Sequence, residues 1–365
     1  MKKLLTEDSL NSKRQGLPYR FGYMHNVDID LVSSGQWIET DKGNACILKI
    51  RSQDAFSINL IYNEFYIPAG AEYFVYNENK SVVLGPFTGK NNRASGRFST
   101  GLVKGDEIIL EYHEPVEVKD MGKVNISGVV HGYRDSFTSD DKLGDCYIDI
   151  VCPIAADWQT DKKAVARLAM GTYWCSGALV NNTRQDGRQY FLTANHCWDA
   201  YSTVEDWHFY FNYEAATCGG YATSYNYVGD AVLLSRNSAS DFCLVEITEQ
   251  IPPAEQPYFA GWANVEEPTD SAVCIHHPGG SGKKISFDYD SVVSATWGSP
   301  AGNHWMVIDW DTSSTEGGSS GSPLFNKHHR IIGQLHGGNA SCDNDLDDEF
   351  GKFGLSWDYG GSPAS

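Results

Sequence analysis

Apolar residues in this 365-residue chain come in short runs broken by Gly, Pro and Asn, with few long helical patterns between them. Runs of that kind fit half-buried strands better than helices with an apolar stripe. Phe56, Ile58, Leu60 and Tyr62 fall on one face at period two, and Ile67-Pro68-Ala69-Gly70 reads as the turn that follows. Residues 73–76, 107–112 and 124–130 supply further strands. The 36 glycines and a 41% hydrophobic content with 13% aromatics are enough for packed β interiors. An all-β chain is expected.

The length implies more than one core. Residues 17–133 read as a β-sandwich, preceded by a polar, loosely ordered start over 1–15. Residues 134–145 are polar and aperiodic, so they are expected to form an exposed linker. Beyond them, over 146–365, strands are expected at 165–169, 176–180, 190–193, 207–213, 242–247, 273–276, 305–309 and 331–335. Many short strands with long loops between them suit two packed antiparallel barrels.

A formal net charge of −19 with no compensating basic stretch argues against a nucleic-acid partner. No apolar run is long enough to span a membrane as a helix. Eight of the nine cysteines follow residue 145, which suggests an exported, disulfide-bearing second domain. The opening Met-Lys-Lys-Leu-Leu-Thr-Glu-Asp lacks the apolar stretch of a signal peptide, so export implies a signal already removed.

Chemistry concentrates in three places. Gly-Gly-Ser-Ser-Gly-Ser-Pro at 317–323 presents Ser320 on a tight glycine turn, where the amides of Gly318 and Ser320 can converge on an oxyanion. One such donor lowers a barrier by roughly 3 kcal/mol. Thr-Ala-Asn-His-Cys at 193–197 brings His196 from a core strand as a base, and Ser-Asp-Phe at 240–242 offers Asp241 to orient it. Singly these have bland readings: a flexible loop, a structural histidine, a strand cap. Three flanked motifs in the order His, Asp, Ser point to nucleophilic catalysis. His276-His277, His328-His329 and His336 lack the spacing of a helix-borne zinc pair, and neither metal nor other cofactor is expected.

With these motifs in hand, residues from about 146 to 357 resemble the lysyl endopeptidase branch of the chymotrypsin-like serine proteases. The stretches that carry the resemblance lie at 144–153, 175–183, 190–197, 240–242, 275–278, 315–323 and 333–338. The resemblance implies a double-barrel endopeptidase working through an acyl-enzyme, with His196, Asp241 and Ser320 as its triad and proteins or peptides as substrates. Trypsin-like enzymes carry a pocket acid six residues before the nucleophile, which is Ser314 here. The resemblance moves that role to Asp348, with Asp343, Asp345 and Asp347 as rivals on the same loop, and it places Trp297 and His336 beside the substrate groove. It implies disulfides Cys146–Cys342, Cys152–Cys218 and Cys175–Cys197. Cys243 and Cys274 either pair or stay as buried thiols, and Cys46 is expected buried.

Residues 17–133 resemble, more loosely, the prosegments of bacterial relatives. They are expected to aid folding or inhibit the protease intramolecularly, although a permanent adhesion or carbohydrate-binding module fits their aromatics too. Ser319 stands where trypsins hold the Asp that pairs with a new amino terminus, so activation is expected to come from cleavage after Lys142. Relatives continue past Trp357 into a closing helical segment. The whole is expected to be a secreted, monomeric lysine-directed protease, with a broader Lys/Arg protease or a non-catalytic binding module as alternatives.

Overall fold

The computed structural model describes residues 2–11, 16–137, 144–224, 226–264, 267–344 and 346–359. They divide into two compact units, residues 21–136 and residues 1–20 with 137–365. Both are built of strands, as the short apolar runs imply.

The smaller unit is a sandwich of two antiparallel sheets. One runs Gln36–Thr40, Gly43–Arg51, Glu107–Glu114, Glu72–Tyr76, Val83–Phe87, and the other Gly22–Asp30, Lys123–Gly132, Ser57–Tyr66, Phe98–Ser99. Alternation along Glu107–Glu114 sends Ile108, Leu110, Tyr112 and Glu114 inward. Ile58, Leu60 and Tyr62 are fully buried on the facing sheet, where Phe65 stacks on Phe98 at 4.0 Å. Phe56 departs from the expected period: it precedes the strand and is 43% exposed.

The larger unit holds two antiparallel barrels. The first sheet runs Val228–Gly229, Trp207–Tyr210, Val165–Met170, Tyr173–Leu179, Tyr190–Ala194, Phe242–Ile247, Ala231–Asn237. The second runs Ile148–Asp149, Lys284–Asp288, Ala272–His276, Pro323–Asn326, Arg330–Gly338, Asp348–Lys352, His304–Val307, Val293–Ala295. Every residue of Val165–Met170 is buried, so no alternation marks it. Its Arg167 lies in a cage formed by Trp174, Tyr210 and Tyr213, 3.6–4.6 Å from their rings, and donates to the Gly280 carbonyl at 2.7 Å. Aromatic faces and a carbonyl together offset the desolvation of that guanidinium.

Two segments differ from the sequence reading. Residues 2–11, expected to be loosely ordered, form the helix Lys2–Asn11. Residues 17–20 group with the larger unit, because Tyr19 and Arg20 pair antiparallel with Trp174 and Tyr173. Arg20 also reaches Asp8 at 2.7 Å and Glu7 at 3.3 Å on the helix.

Candidate active site

His196 and Asp241 meet because their strands are neighbours. Ala194 pairs with Phe242, so the next residue but one on one strand faces the residue just before the other. The His196 Nδ1–H donates to Asp241 Oδ2 at 2.7 Å, and the His196 amide donates to Oδ1 at 2.9 Å. Both carboxylate oxygens are thus engaged, which fixes the ring and its tautomer. Asp241 is 2% exposed and holds a left-handed backbone conformation, φ 52°. A non-glycine residue there carries local strain. The Gln334 amide, donating to the Ser240 carbonyl at 2.6 Å, helps hold the corner.

Ser320 arrives on the turn before Pro323–Asn326. Its carbonyl accepts from the Ser176 amide at 2.8 Å, and the Cys197 sulfur lies 3.9 Å from both that carbonyl and His196 Nε2. The Cys175–Cys197 disulfide therefore sits beside both Ser320 and His196. Gly318 has φ 99°, and a methyl group on it would stand 2.8 Å from the His277 carbonyl and 2.9 Å from the Gly280 amide. Only glycine fits there. The Gly279 amide holds the Gly317 carbonyl at 2.7 Å, and Ser319 donates its amide to Glu316 at 2.9 Å. Around these bonds the amides of Gly318 and Ser320 have no acceptor among the described residues.

Ser319 has a role of its own. Its hydroxyl lies 2.7 Å from His276 Nδ1, and His276 Nε2 lies 3.1 Å from the Ser286 hydroxyl. Burial, aided by the Lys284 charge, pushes the His276 pKa down to about 3, so this ring is a neutral brace under the nucleophile loop. His277 Nδ1 donates to the Ser281 carbonyl at 2.9 Å. Neither histidine of the pair faces the catalytic ring.

The third wall is aromatic. His336 stacks against His196 at 5.5 Å, and Trp297 covers His336 at 3.9 Å. Behind it, Asn303 donates its NH2 group to the carbonyls of Ala239 and Trp297, which leaves its oxygen to accept from His304 Nδ1 at 2.7 Å. His304 Nε2 is then an acceptor, and His336 Nδ1 donates to it at 2.9 Å. Burial lowers the pKa of His304 to about 3 and of His336 to about 4. A neutral chain of two imidazoles sets the ring beside Asp241, whose Oδ2 lies 3.8 Å from His336 Nε2.

Asp348 is 1% exposed and opens the strand Asp348–Lys352, where the sequence reading had put it on a loop. Its Oδ2 accepts from Trp310 Nε1 and from the Thr315 hydroxyl, both at 2.7 Å. Burial pushes this carboxyl up to about 7, only partly offset by those two donors. Thr315 lies on the segment that leads into the nucleophile turn. The rivals behave differently: Asp343 is exposed, Asp347 accepts from Asn339, and Asp345 lies outside the described residues.

The structure contains the disulfides Cys146–Cys342, Cys152–Cys218 and Cys175–Cys197, while Cys46, Cys243 and Cys274 are buried thiols. Lys142 falls outside the described residues. Sequence reading missed Asn303, His304, Trp310, Thr315 and the bracing role of His276. Only the Trp and His residues carried a signal, as large or titratable side chains near the motifs.

The geometry brings the hydrogen-bonded His196–Asp241 pair beside the turn that carries Ser320, with the buried carboxyl of Asp348 on the second sheet. Residues 141–354 match the family model described as lysyl endopeptidase, C-terminal domain, and the chain belongs to that family. It is 28% identical over 286 residues to a lysyl endopeptidase of Pseudomonas aeruginosa, covering 70% of this chain and 60% of that protein. A secreted RxLR effector protein 73 of Plasmopara viticola is 25% identical over 193 residues, covering 48% of this chain and 44% of that one. The chain thus spans 60% or less of the length of these curated relatives. Similar solved structures include the thermostable serine protease AL20 from an extremophilic microorganism, at TM-score 0.41 and 13% identity over 55% of this chain and 97% of that one. The MamO protease domain of Magnetospirillum magneticum gives TM-score 0.37 and 14% identity over 55% and 98%.

Proposed function

We propose that this chain is the precursor of a secreted serine endopeptidase that cleaves peptide bonds after lysine. The observation that carries the reading is the joint one: a base braced at 2.7 Å beside the Ser320 turn, and a buried carboxyl hydrogen-bonded to Thr315 on the segment that leads to that turn. His196 Nε2 takes the Ser320 proton as Oγ attacks the scissile carbonyl, and later returns it to the leaving amine. Asp241 stabilises the imidazolium. The Gly318 and Ser320 amides receive the oxyanion. Water then releases the acyl group by the same proton route in reverse.

Lysine, rather than any cation, is favoured by the state of Asp348. Both side-chain donors occupy Oδ2, and the Ala340 and Gly338 backbone crowds the rest of the carboxyl, which leaves little room for a partner that needs both oxygens. A compact ammonium can use a single oxygen, whereas a guanidinium is best matched by two. A non-catalytic role would leave the braced His196 and the strained Asp241 without a purpose.

Three disulfides favour an oxidising compartment, and among the described residues no helix is long and apolar enough to cross a membrane. The 21–136 unit is proposed as a removable prosegment and Lys142 as the cleavage point, cut by the enzyme itself; the released protease is proposed to act as a monomer. The test is a digest of a denatured protein with its new carboxyl termini mapped by mass spectrometry. Lysine termini, lost with a serine-directed inhibitor and retained with a chelator, support the reading. Activity abolished by the chelator would remove it.

A further inference from the structure

We propose that residues 16–20 form an internal strap that occupies the substrate groove of the uncut chain and is not itself a substrate. This inference rests on the protease reading above and names the regulation of that site.

The strap touches both walls of the groove. At one end, a methyl group on Gly16 would stand 3.3 Å from His336 Nε2 and 3.9 Å from Trp297 Cζ2, and one on Gly337 would stand 3.1 Å from the Gly16 nitrogen. At the other end, Tyr19 and Arg20 add an antiparallel rung to Tyr173–Leu179, opposite Trp174 and Tyr173. That strand carries Cys175 and Ser176, which hold the His196 and Ser320 segments. The Tyr19 side chain lies over the nucleophile turn: a methyl group on Gly317 would meet its Cδ2 at 3.3 Å. Between the two ends Pro18 is buried, and His196 and Ser320 are only 9% and 7% exposed. Strand addition to an exposed edge is also how extended peptides bind such grooves.

The strap lacks what the pocket selects. Gly16, Leu17, Pro18 and Tyr19 carry no cation for Asp348, and the one aliphatic side chain, Leu17, is 45% exposed. The segment binds by backbone and by Tyr19, while the specificity pocket stays empty of a side chain from it. Arg20 anchors the strap through Asp8 and Glu7. Because it is tethered, the strap competes at an effective concentration no dilute substrate matches. Cutting the linker after Lys142 breaks the tether, and the strap becomes a bimolecular inhibitor that dilution removes.

The experiment uses the full chain with Lys142→Gln to keep it uncut, read with a lysyl peptide amide and a small fluorophosphonate on Ser320. Tyr19→Pro deletes the rung, and Arg20→Glu breaks the anchor to Asp8 and Glu7 while leaving residues 16–19 unchanged. Each is expected to raise peptide kcat/KM by about tenfold or more over the uncut parent. Linker-cut wild type is expected to gain specific activity on dilution, a readout that needs no strap variant to fold. A parent as active as both variants, or a specific activity flat at every dilution, overturns the strap and leaves the catalytic reading intact. Variants that gain activity yet cleave after residues other than lysine support the strap and sink the lysine assignment instead.

Discussion

The imidazole wall and the acidic pocket are built on the same second sheet, and burial acts on them in opposite functional senses. Desolvation favours the neutral form of any titratable group. For His304 and His336, pushed down to about 3 and 4, neutrality is the working state. For Asp348, pushed up to about 7, neutrality is the idle state under the lysine reading proposed above, because an ammonium is bound only by the ion. On that reading the groove wall is finished before substrate arrives, whereas the pocket acquires its charge partner with the substrate. Preorganisation belongs to the chemistry and adaptability to the selection.

Removing the nucleophile is the strongest way to test that the two regions serve one reaction. Ser320→Ala is expected to lower kcat by about a million-fold, the size seen when a triad residue is lost. It should also leave the chain uncut at Lys142, as terminal sequencing of the purified variant would show. Next comes Asp348→Asn, which keeps shape and removes charge. Loss of one member of a buried ion pair costs about 3–5 kcal/mol, so kcat/KM for lysyl peptides should fall by about two to nearly four orders of magnitude. Ester or amide substrates with uncharged side chains should lose far less. An equal loss on both would place the fault in folding or in the triad.

The two regions were not equally legible in the sequence. His196, Asp241 and Ser320 could be singled out as candidates because each sits in a locally distinctive motif, down to the glycine at 318 whose φ of 99° admits no side chain. The fully apolar strands and the alternating ones were found for the same reason: period and composition are local. Asn303, Thr315 and Trp310 were invisible because their roles depend on partners far along the chain, Trp310 with Asp348 and Asn303 with Ala239. The strand pairing of Tyr19 and Arg20 was hidden likewise. A two-residue rung has no periodicity, and its partner lies beyond the whole sandwich.

Acidity should separate the regions further. In the free enzyme, kcat/KM for lysyl peptides is expected to rise with pH through about 7 as Asp348 ionises, and Asp348→Asn should lose that limb. Peptide assays from pH 5 to 9 would check it; an unchanged limb in the variant would assign it to another group.

The smallest expected effect is on stability, and its sign distinguishes the two sites. Asp348 keeps its proton in the folded chain up to about 7 but loses it near 3.8 when unfolded, so its contribution declines as pH rises across that window. His304 and His336 stay neutral in the folded chain down to about 3 and 4 but take up protons near 6.5 when unfolded. Their contribution is therefore lost as pH falls below 6.5. Between about 4 and 6.5 the two slopes oppose each other. Asp348→Asn should make Tm fall more steeply on acidification, and His304→Gln should make it fall less steeply, each by a few degrees across the window. Calorimetry of parent and both variants at several pH values reads the slopes directly. Parallel slopes in all three would mean that burial does not hold these groups neutral, and the contrast between wall and pocket would go with it.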